Sequence, residues 1–434
     1  MAKIETVTAR RVWDSRGHPT VEVDVRLTSG ALGRAIAPAG ASRGTREAMD
    51  LRDGGAHLNG KDVSKALANV NGQIAHALKG CESADQAQID AVLLALDASP
   101  LKNNLGGNAM VATSLAVLHA AAAEARLPLW EHVANLYGTT PSLPLPEIQI
   151  FGGGAHAERR VDVQDFMIMV PGAHSFDEVM EITSEVYFAA GDTMARRGQR
   201  AGVADEGGWW PLFKSNEEAL ETLVAAIELA GETPGERVVI SLDIAASEFA
   251  KDGRYNLALE ERELDSVALL EMLSAWVEAY PIVSIEDPVS EEDDAGMLEF
   301  TRRFNGQLQI IGDDYLVTNA ALVTAAAQRG ACNSALIKVN QAGTVTEAVE
   351  AHRAAQDAGW TSVLSARSGE TEDTSISHLS VGLGAGQLKV GSFQRSERMV
   401  KWNECLRIQD QLGADAFVGG SPLRNTWWGK KHLG

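Results

Sequence analysis

The strongest constraint on this chain is where its charges fall in the second part of the sequence. Short apolar runs recur there: DFMIMV, RVVISLDIA, YPIVSIEDP, LQIIGDD, SALIKVNQ and TSVLSARSG. Helical patterns separate them, and strands that alternate with helices predict a parallel sheet. Asp243 closes VVISLD, Glu286 closes IVSIE, Asp313 closes LQIIGD, and Lys338 lies within SALIK. Any one of these acids could be a helix cap or a turn residue. Three acids and a lysine in successive units point instead to one shared mouth. A barrel of βα units gathers its C-terminal strand ends on a single face, where chemistry is done.

The first part of the chain reads differently. TVEVDVRLTSG alternates like a strand and ends in a Ser-Gly turn. Helical patterns follow, VSKALANVNGQIAHALKG and the alanine-rich NAMVATSLAVLHAAAAEARL. Strands followed by helices predict an α+β capping domain over residues 1–135. PSLPLPEIQIFGGG breaks the helical pattern and marks the crossing into a βα barrel over residues 140–434. The fold class is therefore α/β, a barrel preceded by an α+β cap. With 434 residues and 45% hydrophobic side chains, such a chain can bury a sizeable core.

Composition excludes several functions. The net charge of −21 is unsuited to sequence-independent nucleic-acid binding, which needs a basic face. No apolar stretch reaches the length of a membrane span, and the N-terminus lacks a secretory leader pattern. Cys81, Cys332 and Cys405 are widely spaced and odd in number, which argues for a reducing, cytoplasmic setting rather than a disulfide framework.

The oxygens of Asp243, Glu286 and Asp313 suit a hard divalent cation, Mg²⁺ being the usual choice. Each motif carries a further acid, Glu248, Asp287 or Asp314, which either supports the ligands from behind or faces solvent. Lys338, inside its apolar run, is expected to point into the barrel. There, nearby cations and burial would depress its pKa and make it a general base for a carbon acid. In VADEGGWWP, Asp205 and Glu206 precede two glycines, which reads as a surface turn or as a loop acid aimed into the mouth. His156, after the glycine run of GGGAHAE, is a weak candidate by itself. Arg367 and Ser368 of ARSGETEDT, with Lys389 of GQLKVGS, form a natural anion clamp. Residues 37–44, APAGASRG, are too small to pack a core, yet they carry one long cation, Arg43. A loose, glycine-containing loop of this kind raises the question of what its one arginine closes over.

From about residue 5 to 412 the chain resembles the enolases. The motifs that carry the resemblance are DSRGHPTVEV, GASRGTREAMDLRDG, DEGG, SLDIAASEF, SIEDP, KVNQAGTVTEA, RSGETEDT and RSER. The resemblance implies a capping domain on a βα barrel and Mg²⁺-assisted dehydration of 2-phosphoglycerate to phosphoenolpyruvate. (The handling of such substrates by a lysine base with metal ions is a general pattern of that superfamily.) It also implies Lys338 as the base, Glu206 as the acid, and Asp243, Glu286 and Asp313 as ligands of the first metal. His156 and Lys389 match the active-site histidine and second lysine, Arg367 and Ser368 the phosphate contacts. A homodimer and a small anionic, phosphorus-containing substrate are implied in the same way.

Departures from that family pattern gather near the phosphate end. The family's mobile lid loop, residues 37–44 here, usually reads Ser-Gly-Ala-Ser-Thr-Gly. Here Ala39 retains only a backbone carbonyl as a possible ligand for a second Mg²⁺, and Arg43 follows Ser42 in place of threonine. Ala366 stands where the family has a histidine, and Asp165 where it has a longer active-site glutamate. An added lid cation and added space suit a substrate with a further anionic group on phosphorus. Relatives in phosphonate natural-product pathways make carboxyphosphonoenolpyruvate from such a carboxyphosphono analogue. The alternatives are an ordinary glycolytic enolase that tolerates these changes and a non-catalytic enolase fold used for binding.

Overall fold

The computed structural model of the protein describes residues 2–158 and 160–434. Met1, where the expected capping domain begins, lies outside the described residues. Strands β1 (Ile4–Trp13), β2 (Pro19–Leu27) and β3 (Leu32–Ile36) form an antiparallel meander. The alanine-rich segment is a helix, α1 (Gly107–Ala125), laid across this sheet. Its small side chains permit a very close approach. A Cβ on Gly33 of β3 would lie 2.1 Å from the Ala116 carbonyl oxygen, so the crossing demands glycine there.

Eight strands then close a barrel: β4 (Leu145–Gly152), β5 (Asp165–Met169), β6 (Val239–Asp243), β7 (Ile282–Glu286), β8 (Gln309–Gly312), β9 (Ser334–Ile337), β10 (Thr361–Ser365) and β11 (Gly386–Ser392). Pairing of β11 with β4 completes the ring. Outer helices begin at side-chain caps. Ser175, Ser215 and Thr344 accept the backbone N–H of Glu178, Glu218 and Glu347, the S/T-x-x-E pattern of a helix start.

The sheet is not wholly parallel as the alternation predicts. DFMIMV runs antiparallel to both β4 and β6. Among the described residues of the link from β4 to β5, the helical structure is one short turn, Gly154–His156. Without a crossover helix the chain returns in the opposite direction. The reversal brings the first residue of β5, Asp165, to the mouth, in register with Asp243 at the end of β6.

The end opposite the mouth is sealed by apolar groups. Leu145, Met169, Val239 and Val283 pack there with Leu423 and Trp428 of the C-terminal segment. Among the described residues, no single helix is long and apolar enough to cross a membrane.

Candidate active site

Asp243 and Glu286 end adjacent parallel strands in register, and Asp313 follows β8 directly. All three are buried. Lys389, in the middle of β11, reaches into them. Its ammonium donates to Asp243 Oδ2 and Glu286 Oε2 at 2.8 Å each and lies 3.3 Å from Asp165 Oδ2. Lys338 donates to Asp313 Oδ2. It stands one residue past β9, at the start of a single helical turn, and not inside the strand as its apolar neighbours suggest. Its backbone N–H is taken by Thr318 Oγ1 instead of a neighbouring strand, which ends the ladder there.

The expected depression of the Lys338 pKa is not found. Burial is the largest influence and lowers it, but Asp313 and Glu286 together bring the net value above the ordinary lysine range. Lys389 is raised well above the usual lysine value because Asp243, Glu286 and Asp165 together outweigh its burial. The carboxylates divide. Burial pushes Glu286 well up, with Asp243 adding to the rise, and lifts Asp165 to about 6. Burial acts against ionisation of Asp313 as well, yet Lys338 brings it below its ordinary value.

The outer acids have settled roles. Asp287 accepts the backbone N–H of Asp313 at 2.9 Å and of Asp314 at 2.7 Å, fixing the turn that presents Asp313. Asp287 itself has φ of 40°, a left-handed conformation that a non-glycine residue adopts only under tight constraint. Burial raises Asp287 to about 8 and Asp314 to about 9. Glu248 lies apart, in the wall of a groove of about 570 Å³ beside Phe249 and Arg254.

The donor set fits a hard cation. It is all oxygen, and Glu286 Oε1 is buried with no hydrogen-bond partner among the described residues. Two ammonium groups stand against Asp165, Asp243, Glu286 and Asp313, leaving acid in excess. The closest-spaced groups of ligand atoms are Asp287 with Asp313 and Asp314, and His156 with Asp165 and Glu206. Asp243 and Glu286 are drawn instead to the Lys389 ammonium.

His156 Nε2 lies 3.7 Å from Glu206 Oε1 and 3.9 Å from Asp165 Oδ1, so the DEGG loop does reach the mouth. Burial opposes ionisation of Glu206, but His156 and Arg398 hold it below its ordinary value. Across the cavity, Ser42, Arg367, Ser368 and Ala366 complete a nearly filled space of about 20 Å³ shared with Lys338, Lys389, Asp165 and Asp243. A second small cavity of about 30 Å³ shares Ser365 and Ala366 as its wall and extends toward Pro38 and Asn340.

The lid is docked. Ala39 and Gly369 exchange backbone hydrogen bonds at 2.9 and 2.8 Å, and Arg16 donates to the same Ala39 carbonyl. That carbonyl, the candidate ligand of a second metal, thus already accepts two bonds. Arg367 donates to Ser42 O at 3.0 Å, and a Cβ on Gly40 would fall 1.9 Å from the Arg367 guanidinium, so a larger residue there would displace that side chain. Arg43 does not line the cavity. Its guanidinium is 4.0 Å from Glu47 and donates weakly to the Ala48 carbonyl.

Sequence reasoning passed over Glu47, Gln164 and Gln341. Glu47 holds Arg367 at 3.0 Å and Gln341 at 3.2 Å, and Gln341 donates to Asp313 at 2.8 Å. Gln164 donates to Asp243 Oδ2 at 3.0 Å. Their signal was position: Glu47 lies three residues after the lid, Gln341 three residues after Lys338, and Gln164 precedes Asp165.

A family profile described as "Enolase, N-terminal domain" matches residues 4–133, and one described as "Enolase, C-terminal TIM barrel domain" matches residues 140–426.

Proposed function

The chain belongs to the enolase family and is a hydro-lyase of that type, and we propose that its substrate is the carboxyphosphono analogue of 2-phosphoglycerate, converted to carboxyphosphonoenolpyruvate. The observation that carries this reading is the space at Ala366. A small side chain there borders both the catalytic cavity and the second cavity behind it, where a larger residue would fill the gap. In this reading the capping domain covers residues 1–135 and the barrel residues 140–434.

Lys338 takes the proton α to the substrate carboxylate, and Glu206 assists departure of the β-hydroxyl. A deprotonation by Lys338 requires that its proton first leave, so the pairing with Asp313 must be relieved when the site is loaded. Glu206 must likewise gain a proton. Asp165, lifted to about 6 and facing the same His156, is the nearest carboxyl able to hold one. Lys389 positions the substrate carboxylate, and Arg367 and Ser368 bind the phosphorus-bearing end. Mg²⁺, on which the family depends, would be held by Asp243, Glu286 and Asp313 and would stabilise negative charge on the substrate carboxylate. A second Mg²⁺ at the Ala39 carbonyl requires the lid to give up its bonds to Gly369 and Arg16. Arg43 swings from Glu47 toward the added carboxylate when substrate binds. The protein works as a cytoplasmic homodimer, which light scattering and cell fractionation test.

A second reading, turnover of 2-phosphoglycerate itself, is favoured by the resting position of Arg43 outside the cavity. The two are separated by kcat/KM for both substrates on wild type and Arg43→Ala. A charge-assisted bond to a carboxylate is worth roughly 1.5–3 kcal/mol, so Arg43→Ala should cost about 10–150-fold with the analogue and little with 2-phosphoglycerate. Efficient wild-type turnover of 2-phosphoglycerate, with no selective loss for the analogue, favours the second reading.

A further inference from the structure

Beneath the mouth, the barrel interior holds a carboxyl that the proposed reaction does not use. Glu147 lies on β4 in register with Lys389 and is fully buried. Its Oε1 accepts from Gln387 Nε2 at 3.1 Å, and its Oε2 is buried with no partner among the described residues. Gln387 and Gln309 join amide to amide, at 2.6 and 3.1 Å. Gln309 donates in turn to Thr361 Oγ1 at 2.8 Å, beside a cavity of about 290 Å³ at the other end of the barrel. Ser241 and Ser284, two residues below Asp243 and Glu286 and paired in register, also keep buried hydroxyls without partners among the described residues. Glu147 therefore sits in a polar interior, with no cation bonded to it among the described residues.

The nearest cation is committed elsewhere. An ammonium has three N–H donors, and those of Lys389 serve Asp165, Asp243 and Glu286 on the mouth side. A fourth ionised carboxylate in this buried patch would be costly without a partner of its own. We propose that Glu147 is a positioning residue for Lys389: as the neutral acid it leaves the ammonium to the three mouth carboxylates, and on losing its proton it competes for that ammonium from below. The charged groups that face Glu147 agree. Burial lifts it to about 7; Lys389 on β11 opposes the rise, and Asp243 on β6 and Asp165 on β5 add to it. The group thus changes charge near neutral pH, where a small change in its surroundings shifts its protonation.

Infrared titration of the metal-free full chain tests this directly. Wild type should show a protonated-carboxyl C=O band at about pH 6 that fades toward about pH 8, and Glu147→Gln should lack that component. Glu147→Met, which keeps the bulk without polarity, serves if the glutamine variant fails to fold. The second arm is kcat/KM against pH with 2-phosphoglycerate and with the carboxyphosphono analogue. For the substrate that is turned over, wild type should lose about tenfold across the same interval, the lower bound for misplacing one charge-assisted bond, while Glu147→Gln stays flat. A purely structural role would leave the two pH profiles parallel. The rate arm rests on the proposed reaction and the infrared arm does not, so the two can fail separately. Absence of a titrating band that distinguishes wild type from the variants overturns the proposal. So does a band accompanied by identical pH profiles.

Discussion

The two ends of one barrel solve the same geometric problem with opposite materials. At the far end, Leu145, Met169, Val239 and Val283 meet Leu423 and Trp428, and the closure is apolar. At the mouth the barrel strands bring together Asp243, Glu286, Asp313, Lys338 and Lys389, all nearly as buried. Burying apolar groups stabilises a fold, whereas buried ion pairs gain little over the cost of removing charge from water. The comparison teaches that the mouth is maintained for chemistry and the far end for stability.

The sharpest way to break this contrast is to damage the apolar end. Trp428→Ala should destabilise the fold by about 3–5 kcal/mol, as truncations of large buried aromatic side chains do. Denaturant unfolding measures it. Mg²⁺ affinity of the folded fraction should stay unchanged; a parallel loss of affinity would mean that the two ends are coupled.

A titratable group on the supporting side sharpens it next. His352, on the helix Val345–Asp357, shares a 2.7 Å hydrogen bond with Ser362 near the start of β10. Burial, aided by Arg353, lowers it from 6.5 to about 4. The folded state keeps His352 neutral where the unfolded chain takes up a proton. Its contribution is therefore present above about pH 6.5 and is lost as pH falls toward 4. Between about pH 7 and pH 5 the loss should be about 2 kcal/mol, read as a steeper fall in Tm for wild type than for His352→Gln. Equal slopes would remove His352 from the acid sensitivity.

At the mouth the expected effects shift from stability to affinity. Glu286→Ala should weaken Mg²⁺ binding by more than the ~10–100-fold typical of losing an outer-sphere partner. Tm should change little, because the variant removes one of several crowded carboxylates. Calorimetry with wild-type affinity after this change would contradict the metal assignment.

Much of this was legible in the residues. VVISLD, IVSIE and LQIIGD show their strands and the acids that end them, because a buried parallel strand reads as an unbroken apolar run. The direction of DFMIMV was not legible. Periodicity reports burial and carries no sign for parallel or antiparallel, and the missing crossover helix was the only clue. Lys338 was placed inside its strand because Leu336, Ile337 and Val339 are all apolar, yet the ladder stops one residue earlier. Asp313, which bonds the Lys338 ammonium, lies 25 positions away, so no local pattern shows the contact that opposes the effect of burial on this lysine. Glu47, Gln164 and Gln341 reach the site through contacts such as Gln341 to Asp313 across 28 positions and Arg367 to Glu47 across 320, which no local pattern encodes.

The claim on which the rest depends is that Lys338 is the base. Hydrogen exchange at the α-carbon isolates that step from elimination and product release. With Mg²⁺ in deuterated water, wild type should wash out the α-hydrogen of 2-phosphoglycerate or of its carboxyphosphono analogue. Lys338→Ala, folded and with its metal affinity intact, should lose roughly 10²–10⁴-fold of that exchange. Exchange at the wild-type rate in Lys338→Ala would contradict the assignment.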